Sequence, residues 1–405
     1  MDSAKPDYFG CGSVEISPPN SVDETGIRRL AITSASLVHR PLVGINTLPD
    51  AVEHGVKTYK GANAMGWRIE SEYKYITYLD VQESIEQIAR GLLSLGISTD
   101  DVVNVYARTS ANWQLFAQAC ALISTPIATA YDSLGPDGLT HSLREPNCIA
   151  VFTNSHLLSK VASIINSTPS LKYIIYDGEL DPSFVVEMPG IQLLSLSSIR
   201  SLGTNNTPLS SRRPTPSTLA CIMYTSGSTG APKGVCLSHA NLIASVGSVT
   251  IIFGHHYTHG NVYLAYLPLA HVLEFAAEIC ALFMGVTIGY GSPRTLKDDL
   301  KALRPTVMFG VPSVWETIRK GIIANVESGG AVKKMMFESA MGWKKSQTPI
   351  LSTLADSVVL KKVREATGGR LKVLMNGGAA VSRETRDFLS VAVVEMLQGL
   401  LLLSS

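Results

Sequence analysis

Residues 219–235 read LACIMYTSGSTGAPKGV, and the interpretation of the whole chain starts from them. Their first half, Leu219 to Tyr224, is an apolar run of the length expected for a buried strand of a parallel sheet. Their second half is rich in glycine and hydroxyl residues and contains one lysine, Lys233. Glycines let the backbone approach a ligand closely, while hydroxyls and an ammonium donate to phosphate oxygens. The stretch therefore predicts a phosphate-binding loop at the end of a buried strand.

The loop predicts a nucleoside triphosphate as its ligand. The predicted phosphate-contacting residues beside Lys233 are Thr225, Ser226, Gly227, Ser228, Thr229 and Gly230. A P-loop of the Walker type is excluded, because Pro232 stands in place of its second glycine and Gly234 in place of its Ser/Thr. A flexible linker accounts for neither the strand before the loop nor the Pro-Lys-Gly within it.

Composition indicates a globular α/β protein of two or three units. The chain has 405 residues, of which 45% are apolar and 17% charged. With 34 basic and 33 acidic residues the net charge is +1, so we expect no nucleic-acid partner. Lysine pairs at 333–334, 344–345 and 361–362 leave local membrane contact open, with solvated helix faces as the alternative.

Cysteine usage and the N-terminus favour an intracellular, cytoplasmic protein. The six cysteines form no CxxC pair and no metal-ligand spacing. Residues 1–10 lack the pattern of a signal peptide. The most apolar segment, 388–403, is interrupted by Glu395 and Gln398, so we expect no membrane-spanning helix.

Alternating strand and helix patterns predict two doubly wound, mostly parallel sheets with flanking helices. The predicted organisation is a lead-in (1–48), a first α/β subdomain (49–200), a linker (201–217), a second α/β subdomain (218–399) and a divergent tail (400–405). The clearest helix is predicted within 77–96, with Asp80 as its cap and Gly96 as its end. Its apolar stripe comprises Val81, Ile85, Ile88, Leu92 and Leu93.

Two further motifs follow predicted strands. The segment Pro268 to His271 places an imidazole between a strand and a helix, where ligands of α/β sheets bind. The alternative is a histidine that caps the helix or packs at this junction. Gly377, Gly378 and Ala379 follow a strand at 371–375 and allow a flat ring to lie on bare backbone. A simple strand-to-helix turn is the alternative here.

Residues 224–235 resemble the signature loop of the AMP-forming acyl-adenylating enzymes, which include the acyl-CoA synthetases. The resemblance implies that the loop grips the β- and γ-phosphates of ATP while a carboxylate attacks the α-phosphorus. It also implies that His271 lies beside the substrate carboxylate and acyl tunnel, and that residues 377–379 bind adenine. Residues 396–399 resemble the lead-in to the family's Gln-Gly-Tyr-Gly-x-Thr-Glu segment, which adds Gln398 and Gly399 to the nucleotide site.

The family pattern stops at Gly399, where this chain continues LLLLSS. The Mg²⁺ carboxylate, the ribose-binding aspartate and the C-terminal lid with its catalytic lysine are expected beyond that point, so no metal ligand is predicted within the chain. The resemblance covers roughly residues 48–399 and suggests a truncated product.

The resemblance implies a long-chain fatty acid–CoA ligase that uses ATP, Mg²⁺ and coenzyme A, with Lys233 and His271 in catalysis. A ligase for an aryl or shorter acyl acid is one alternative, and a non-catalytic remnant is another. Peripheral contact with the endoplasmic reticulum or a lipid droplet follows from the family by analogy.

Overall fold

The computed structural model describes residues 13–399 except 22–23, 34–35, 185–186, 205–207, 210–211, 226–231, 346–352 and 354. The strands of the described residues are β1 Ser13–Ser17, β2 Ile27–Leu30, β3 Asn63–Ile69, β4 Glu72–Thr77, β5 Val103–Tyr106, β6 Ile127–Ala130, β7 Ala150–Asn154, β8 Tyr173–Asp177, β9 Gln192–Ser195, β10 Leu219–Thr225, β11 Lys233–Ser238, β12 Val262–Ala265, β13 Thr287–Tyr290, β14 Val307–Gly310, β15 Val373–Asn376 and β16 Met396–Gln398.

Helices follow most of these strands, as in other α/β proteins. They are α1 Leu48–Tyr59, α2 Tyr78–Ser94, α3 Ala111–Leu122, α4 Pro136–Arg144, α5 Leu158–Ala162, α6 Leu196–Leu202, α7 His239–Phe253, α8 Val272–Met284, α9 Leu296–Leu303, α10 Pro312–Glu327, α11 Gly330–Lys345, α12 Lys361–Ala366 and α13 Arg383–Ala392, with a π-helical segment at Ala355–Leu360. Across the described part of the chain, no helix is both long and apolar enough to cross a membrane.

Two seven-stranded sheets organise the described residues, which confirms the predicted α/β fold. The first has the strand order β11-β10-β6-β5-β7-β8-β9 and is parallel except for β11 at its edge. The second has the order β16-β15-β14-β12-β13-β3-β4 and is parallel except for β4. In each sheet the carboxyl ends of the parallel strands share one edge.

Each sheet takes strands from both sides of the predicted division at 201–217. Strands β10 and β11, assigned to the second subdomain, belong to the first sheet, while β3 and β4 belong to the second sheet. The reason is that strand pairing joins segments far apart in the chain, as when Met65 of β3 lies opposite Ile288 of β13. A local alternation of strands and helices carries no information about such partners.

Helix α2 shows how local sequence sets an element. Val81, Ile85, Ile88 and Leu92 are buried, as the apolar stripe predicts. The predicted cap is wrong by three residues: Thr77 is the N-cap, and Asp80 is the third residue of the helix and the acidic partner in a capping box. The Asp80 carboxylate accepts from the Thr77 backbone N–H at 2.7 Å, which is the reciprocal bond that defines such a box.

The two sheets share one apolar core. Helix α3 contacts β5 of the first sheet and β3 of the second. The Trp113 ring of α3 meets the Phe275 ring of α8 edge to face, with centroids 5.7 Å apart. Because nearly every residue of both helices is buried, they hold the sheets together and fix where their strand ends meet.

Candidate nucleotide and acyl site

The predicted phosphate loop joins two antiparallel strands, β10 and β11, whose residues Thr225 and Lys233 lie opposite each other. The Lys233 side chain is exposed. Residues Ser226, Gly227, Ser228, Thr229 and Gly230 of the prediction lie outside the described residues. Since β10 runs parallel to β6, the pair Thr225 and Lys233 stands at the carboxyl edge of the first sheet.

His271 is the N-cap of α8, at the end of the turn that follows β12. Its Nδ1 accepts a hydrogen bond from the Leu273 backbone N–H at 3.1 Å. Burial lowers the pKa of His271, which favours the neutral imidazole. Because Nδ1 is an acceptor, the proton of that imidazole is on Nε2. The side chain therefore caps the helix, and its Nε2–H is a hydrogen-bond donor.

The turn before His271 is tied to the first sheet. The Thr109 hydroxyl, just past β5, donates to the Leu267 carbonyl at 2.7 Å and accepts from the Leu269 N–H at 2.9 Å. Thr129 of β6 donates to the Ala270 carbonyl at 3.2 Å. These bonds hold the carboxyl edge of the first sheet against the carboxyl edge of the second, and His271 lies where the two edges meet.

The glycine turn after β15 lies on the same edge of the second sheet. Gly377 donates its N–H to the Gly310 carbonyl of β14 at 2.9 Å, and Gly378 has a φ of +80°, a conformation that favours glycine. A Cβ at Gly377 would lie 2.6 Å from Cδ2 of Leu273. The turn therefore packs against the first turn of α8, directly beyond His271, with Gly378 and Ala379 exposed.

The side chain of Asn376 stabilises this turn. It is fully buried, and its side-chain N–H donates to the Ala379 carbonyl at 2.7 Å. Sequence reasoning missed its role, although a polar residue that ends an apolar strand before paired glycines was a usable signal.

Gln398 and Gly399 are brought beside the glycine turn by β16. Gln398 lies opposite Asn376 in the parallel pair β15 and β16, and Gly399 donates its N–H to the Asn376 carbonyl at 3.0 Å. The candidate adenine-contacting segments at 377–379 and 398–399 are therefore neighbours. Among the residues described, no group of three or more His, Cys, Asp or Glu side chains could hold a metal ion.

Comparisons with known proteins agree with this architecture. The model of the family described as AMP-binding enzyme matches residues 52–400. Long-chain-fatty-acid–CoA ligase 1 of Schizosaccharomyces pombe is 37% identical over 96% of this chain and 63% of its own length. Palmitoyl-CoA ligase FUM16 of Gibberella moniliformis is 33% identical over 92% of this chain and 61% of its own length. The chain therefore spans about three fifths of the length of these two relatives.

Solved structures show the same fold at low identity. The A domain of a carboxylic acid reductase from Segniliparus rugosus, in complex with AMP and a co-purified carboxylic acid, matches 90% of this chain and 62% of its own, with a TM-score of 0.70 and 16% identity. A long-chain-fatty-acid-CoA ligase from Archaeoglobus fulgidus matches 90% of this chain and 64% of its own, with a TM-score of 0.64 and 16% identity. From the family match and this shared fold we conclude that the chain belongs to the AMP-binding enzyme family.

Proposed function

We propose that this chain forms the nucleotide- and acyl-binding part of an ATP-dependent, AMP-forming long-chain fatty acid–CoA ligase. The observation that carries the proposal is the meeting of the two carboxyl edges. The His271 turn and the segments 377–379 and 398–399 lie at the ends of β12, β15 and β16, on the same edge of one sheet. The hairpin with Lys233 extends from the same edge of the other sheet. Ligands of open α/β sheets bind outside such carboxyl ends.

The relatives support the substrate class. Two curated proteins at 37% and 33% identity are named long-chain-fatty-acid–CoA ligases, and a third at 33% is named a palmitoyl-CoA ligase. A ligase for an aryl or shorter acyl acid is the competing assignment within the family.

The proposed chemistry has two steps. A fatty carboxylate oxygen attacks the α-phosphorus of ATP, the bond to the β-phosphate oxygen breaks, and pyrophosphate leaves with the electron pair. The thiolate of coenzyme A then attacks the acyl carbon and AMP leaves. Lys233 offsets the charge that develops on pyrophosphate in the first step. The His271 Nε2–H donates to a carboxylate oxygen of the fatty acid and orients it.

Mg²⁺ belongs to the proposal as a charge-neutralising ion on the ATP phosphates. The described residues offer no set of acidic ligands for it, so no step is assigned to the metal here. A magnesium ion that substrate phosphates hold needs one or two carboxylates, and the sequence pattern expects them beyond Gly399.

Pyrophosphate release tests the proposal. Purified chain, ATP, Mg²⁺ and palmitate should release pyrophosphate above the rate without acid, and hydroxylamine should trap palmitoyl hydroxamate. Stronger hydroxamate formation with aryl or short-chain acids would favour the other ligase assignment. ATP binding without pyrophosphate release, in this chain but not in one that continues beyond Gly399 into a lid, would favour a non-catalytic remnant.

An intracellular, cytoplasmic location with peripheral contact to the endoplasmic reticulum or a lipid droplet is part of the same proposal. All five cysteines among the described residues are free, and four of them are buried, which suits a reducing compartment. Long-chain acids partition into membranes, so a peripheral position would place the enzyme at its substrate. Flotation with anionic and neutral liposomes tests the contact, and equal recovery in the absence of lipid would contradict it.

A further inference from the structure

We propose that His141 is a positioning residue that holds the phosphate hairpin, defined by its described residues 219–225 and 232–238, and that it thereby sets the place of the Lys233 ammonium. This inference rests on the proposed function, since it concerns how the same site grips the outer phosphates of ATP. It assigns a role to helix α4, for which the sequence pattern suggested no chemistry.

The anchor is a hydrogen bond from α4 to the hairpin. His141 Nε2 lies 2.9 Å from the carbonyl oxygen of Pro232. A carbonyl can only accept, so Nε2 carries the proton in this contact. Pro232 immediately precedes Lys233 in the chain. The bond therefore fixes the peptide that carries Lys233, from a residue 91 positions away.

The hairpin needs such a support because β11 lies at the edge of its sheet. An edge strand has a neighbouring strand on one side, so its end is less constrained than that of an inner strand. Helix α4 contacts β5 and β6 of the same sheet, so its packing against the sheet holds the backbone of His141 in place. The hydrogen bond from α4 therefore adds a constraint on the hairpin that strand pairing does not provide.

Packing around the bond restricts the imidazole. The Tyr224 ring meets the His141 ring edge to face, with centroids 5.6 Å apart, and Tyr224 lies opposite Gly234 in the hairpin. A Cβ at Gly234 would lie 2.8 Å from Cγ2 of Ile222 and 3.3 Å from Oε2 of Glu145. His141 is therefore packed against the hairpin beside the pair Tyr224 and Gly234, where glycine permits close approach.

Glu145 adds a charge to this arrangement. Its Oε2 lies 3.8 Å from His141 Nε2, one helical turn along the chain. Burial raises the pKa of Tyr224, and the neighbouring Glu145 raises it further, so the phenol stays neutral. The contact from this cluster to the hairpin backbone is made by His141, through Nε2 and the Pro232 carbonyl.

Loss of the hydrogen bond should affect the binding of some ligands and not of others. Lys233 has a flexible four-carbon stem, so the mean position of its ammonium follows its backbone. In a more mobile hairpin the Lys233 ammonium would occupy a wider range of positions, and its contact with the β- and γ-phosphates of ATP would be weaker. The adenine-contacting segments at 377–379 and 398–399 belong to the other sheet and are not affected. Loss of the anchor should therefore reduce affinity for ATP and pyrophosphate and leave affinity for AMP unchanged.

Two complementary variants of the full chain test this. His141→Phe keeps a ring against Tyr224 and removes the donor, whereas His141→Gln keeps an N–H donor and removes the ring. Isothermal titration calorimetry would give Kd values for ATP, pyrophosphate and AMP, with melting temperature as a check on folding. Arg144→Ala, an exposed residue of the same helix, is the matched control.

We expect His141→Phe to weaken ATP and pyrophosphate binding about five- to tenfold, because the variant loses one hydrogen bond. AMP binding should be unchanged. His141→Gln should restore most of the affinity, and Arg144→Ala should match the parent chain. Unchanged ATP affinity in His141→Phe would overturn the inference, as would equal losses for ATP and AMP. If the parent chain bound AMP but not ATP, the proposed function would fall together with this inference, a result distinct from a failure of His141 alone.

Discussion

Lys233 and His271 are the single residues on which the proposed chemistry depends, and the structure gives them different surroundings. Lys233 is exposed at the start of an edge strand, so the role proposed for it is electrostatic and requires a bound phosphate. His271 is half-buried and already makes a capping bond, so the role proposed for it combines helix capping with orientation of a ligand. Substitutions at the two positions should therefore differ in their effects.

Lys233→Ala should reduce adenylation about a hundredfold, because loss of one preorganised donor to a developing charge costs about 3 kcal/mol of barrier. The melting temperature should not change, since the side chain is exposed. Palmitate-dependent pyrophosphate release and ATP affinity measure the effect, with Lys301→Ala on α9 as a matched control. Pyrophosphate release equal to that of the parent chain would refute the role of Lys233.

His271→Asn and His271→Ala should separate the two roles of this residue. Asparagine is a favoured N-cap, whereas alanine costs about 1 kcal/mol at this position. We expect the Ala variant to melt at a lower temperature and the Asn variant to melt like the parent. Both should lose adenylation activity, because neither keeps an imidazole N–H. An active Asn variant would show that His271 serves as a cap alone.

At the scale of elements, the ends of β14, β15 and β16 form the candidate adenine shelf. Backbone bonds from Gly377 to Gly310 and from Gly399 to Asn376 link three neighbouring strand ends. The side chain of Asn376 closes the turn onto Ala379. A shelf made of backbone suits a flat ring, and its shape depends on this one buried amide.

Asn376→Asp should loosen the shelf. The substitution is nearly isosteric, but it replaces the N–H₂ donor to Ala379 with a buried oxygen, which costs about 1 to 3 kcal/mol. We expect a lower free energy of unfolding and weaker AMP binding, read by urea denaturation and calorimetry. Asn63→Asp, at an exposed asparagine of β3, is the control. AMP affinity equal to that of the parent would argue against a shelf at 377–379.

At the scale of the whole molecule, the site exists because two sheets face each other with their carboxyl edges together. Helices α3 and α8 join the sheets through the core, and Thr109 and Thr129 join their edges. A change at this junction should alter the site without touching any of its proposed ligands.

Thr109→Val should weaken the junction. Valine keeps the shape but leaves the Leu267 carbonyl and the Leu269 N–H without their partner, at a cost of about 1 to 3 kcal/mol. Thr317→Val, whose hydroxyl bonds within α10, is the control. We expect a loss of stability together with a higher KM for the fatty acid in Thr109→Val. A variant with parent stability would contradict the proposed role of this contact.

Stability should also decrease at acid pH through His239. This buried histidine accepts from the Leu48 N–H at 3.1 Å, and burial lowers its pKa from 6.5 to about 4. Between these values the unfolded chain binds a proton that the folded chain excludes, so stability present above pH 6.5 is lost as the pH falls toward 4. His239→Asn keeps an acceptor without this titration, and its stability should decline less over that range in urea denaturation. Parallel curves for the two proteins would contradict the assignment.

The sequence predicted elements whose information is local. The sequence pattern predicts a strand at 127–130 and a helix at 296–303. Strand β6 and helix α9 have these bounds, because a short apolar run and a regular apolar period are readable within a few residues. Strand β9 and helix α6 were missed, since a four-residue strand and a polar helix give weak patterns. The roles of His141 and Asn376 were missed because each depends on a hydrogen bond that forms only after folding.

By itself the sequence determined the α/β class and the resemblance to acyl-adenylating enzymes, and it named the residues proposed to contact a nucleotide, because each of these is encoded in continuous stretches. Only the tertiary structure decided that β10 and β11 join the first sheet and that β3 and β4 join the second. It also decided that the His271 turn is bonded to Thr109 and Thr129. The physical reason is that these pairings join distant segments, whose selection depends on the packing of the whole core rather than on any local pattern.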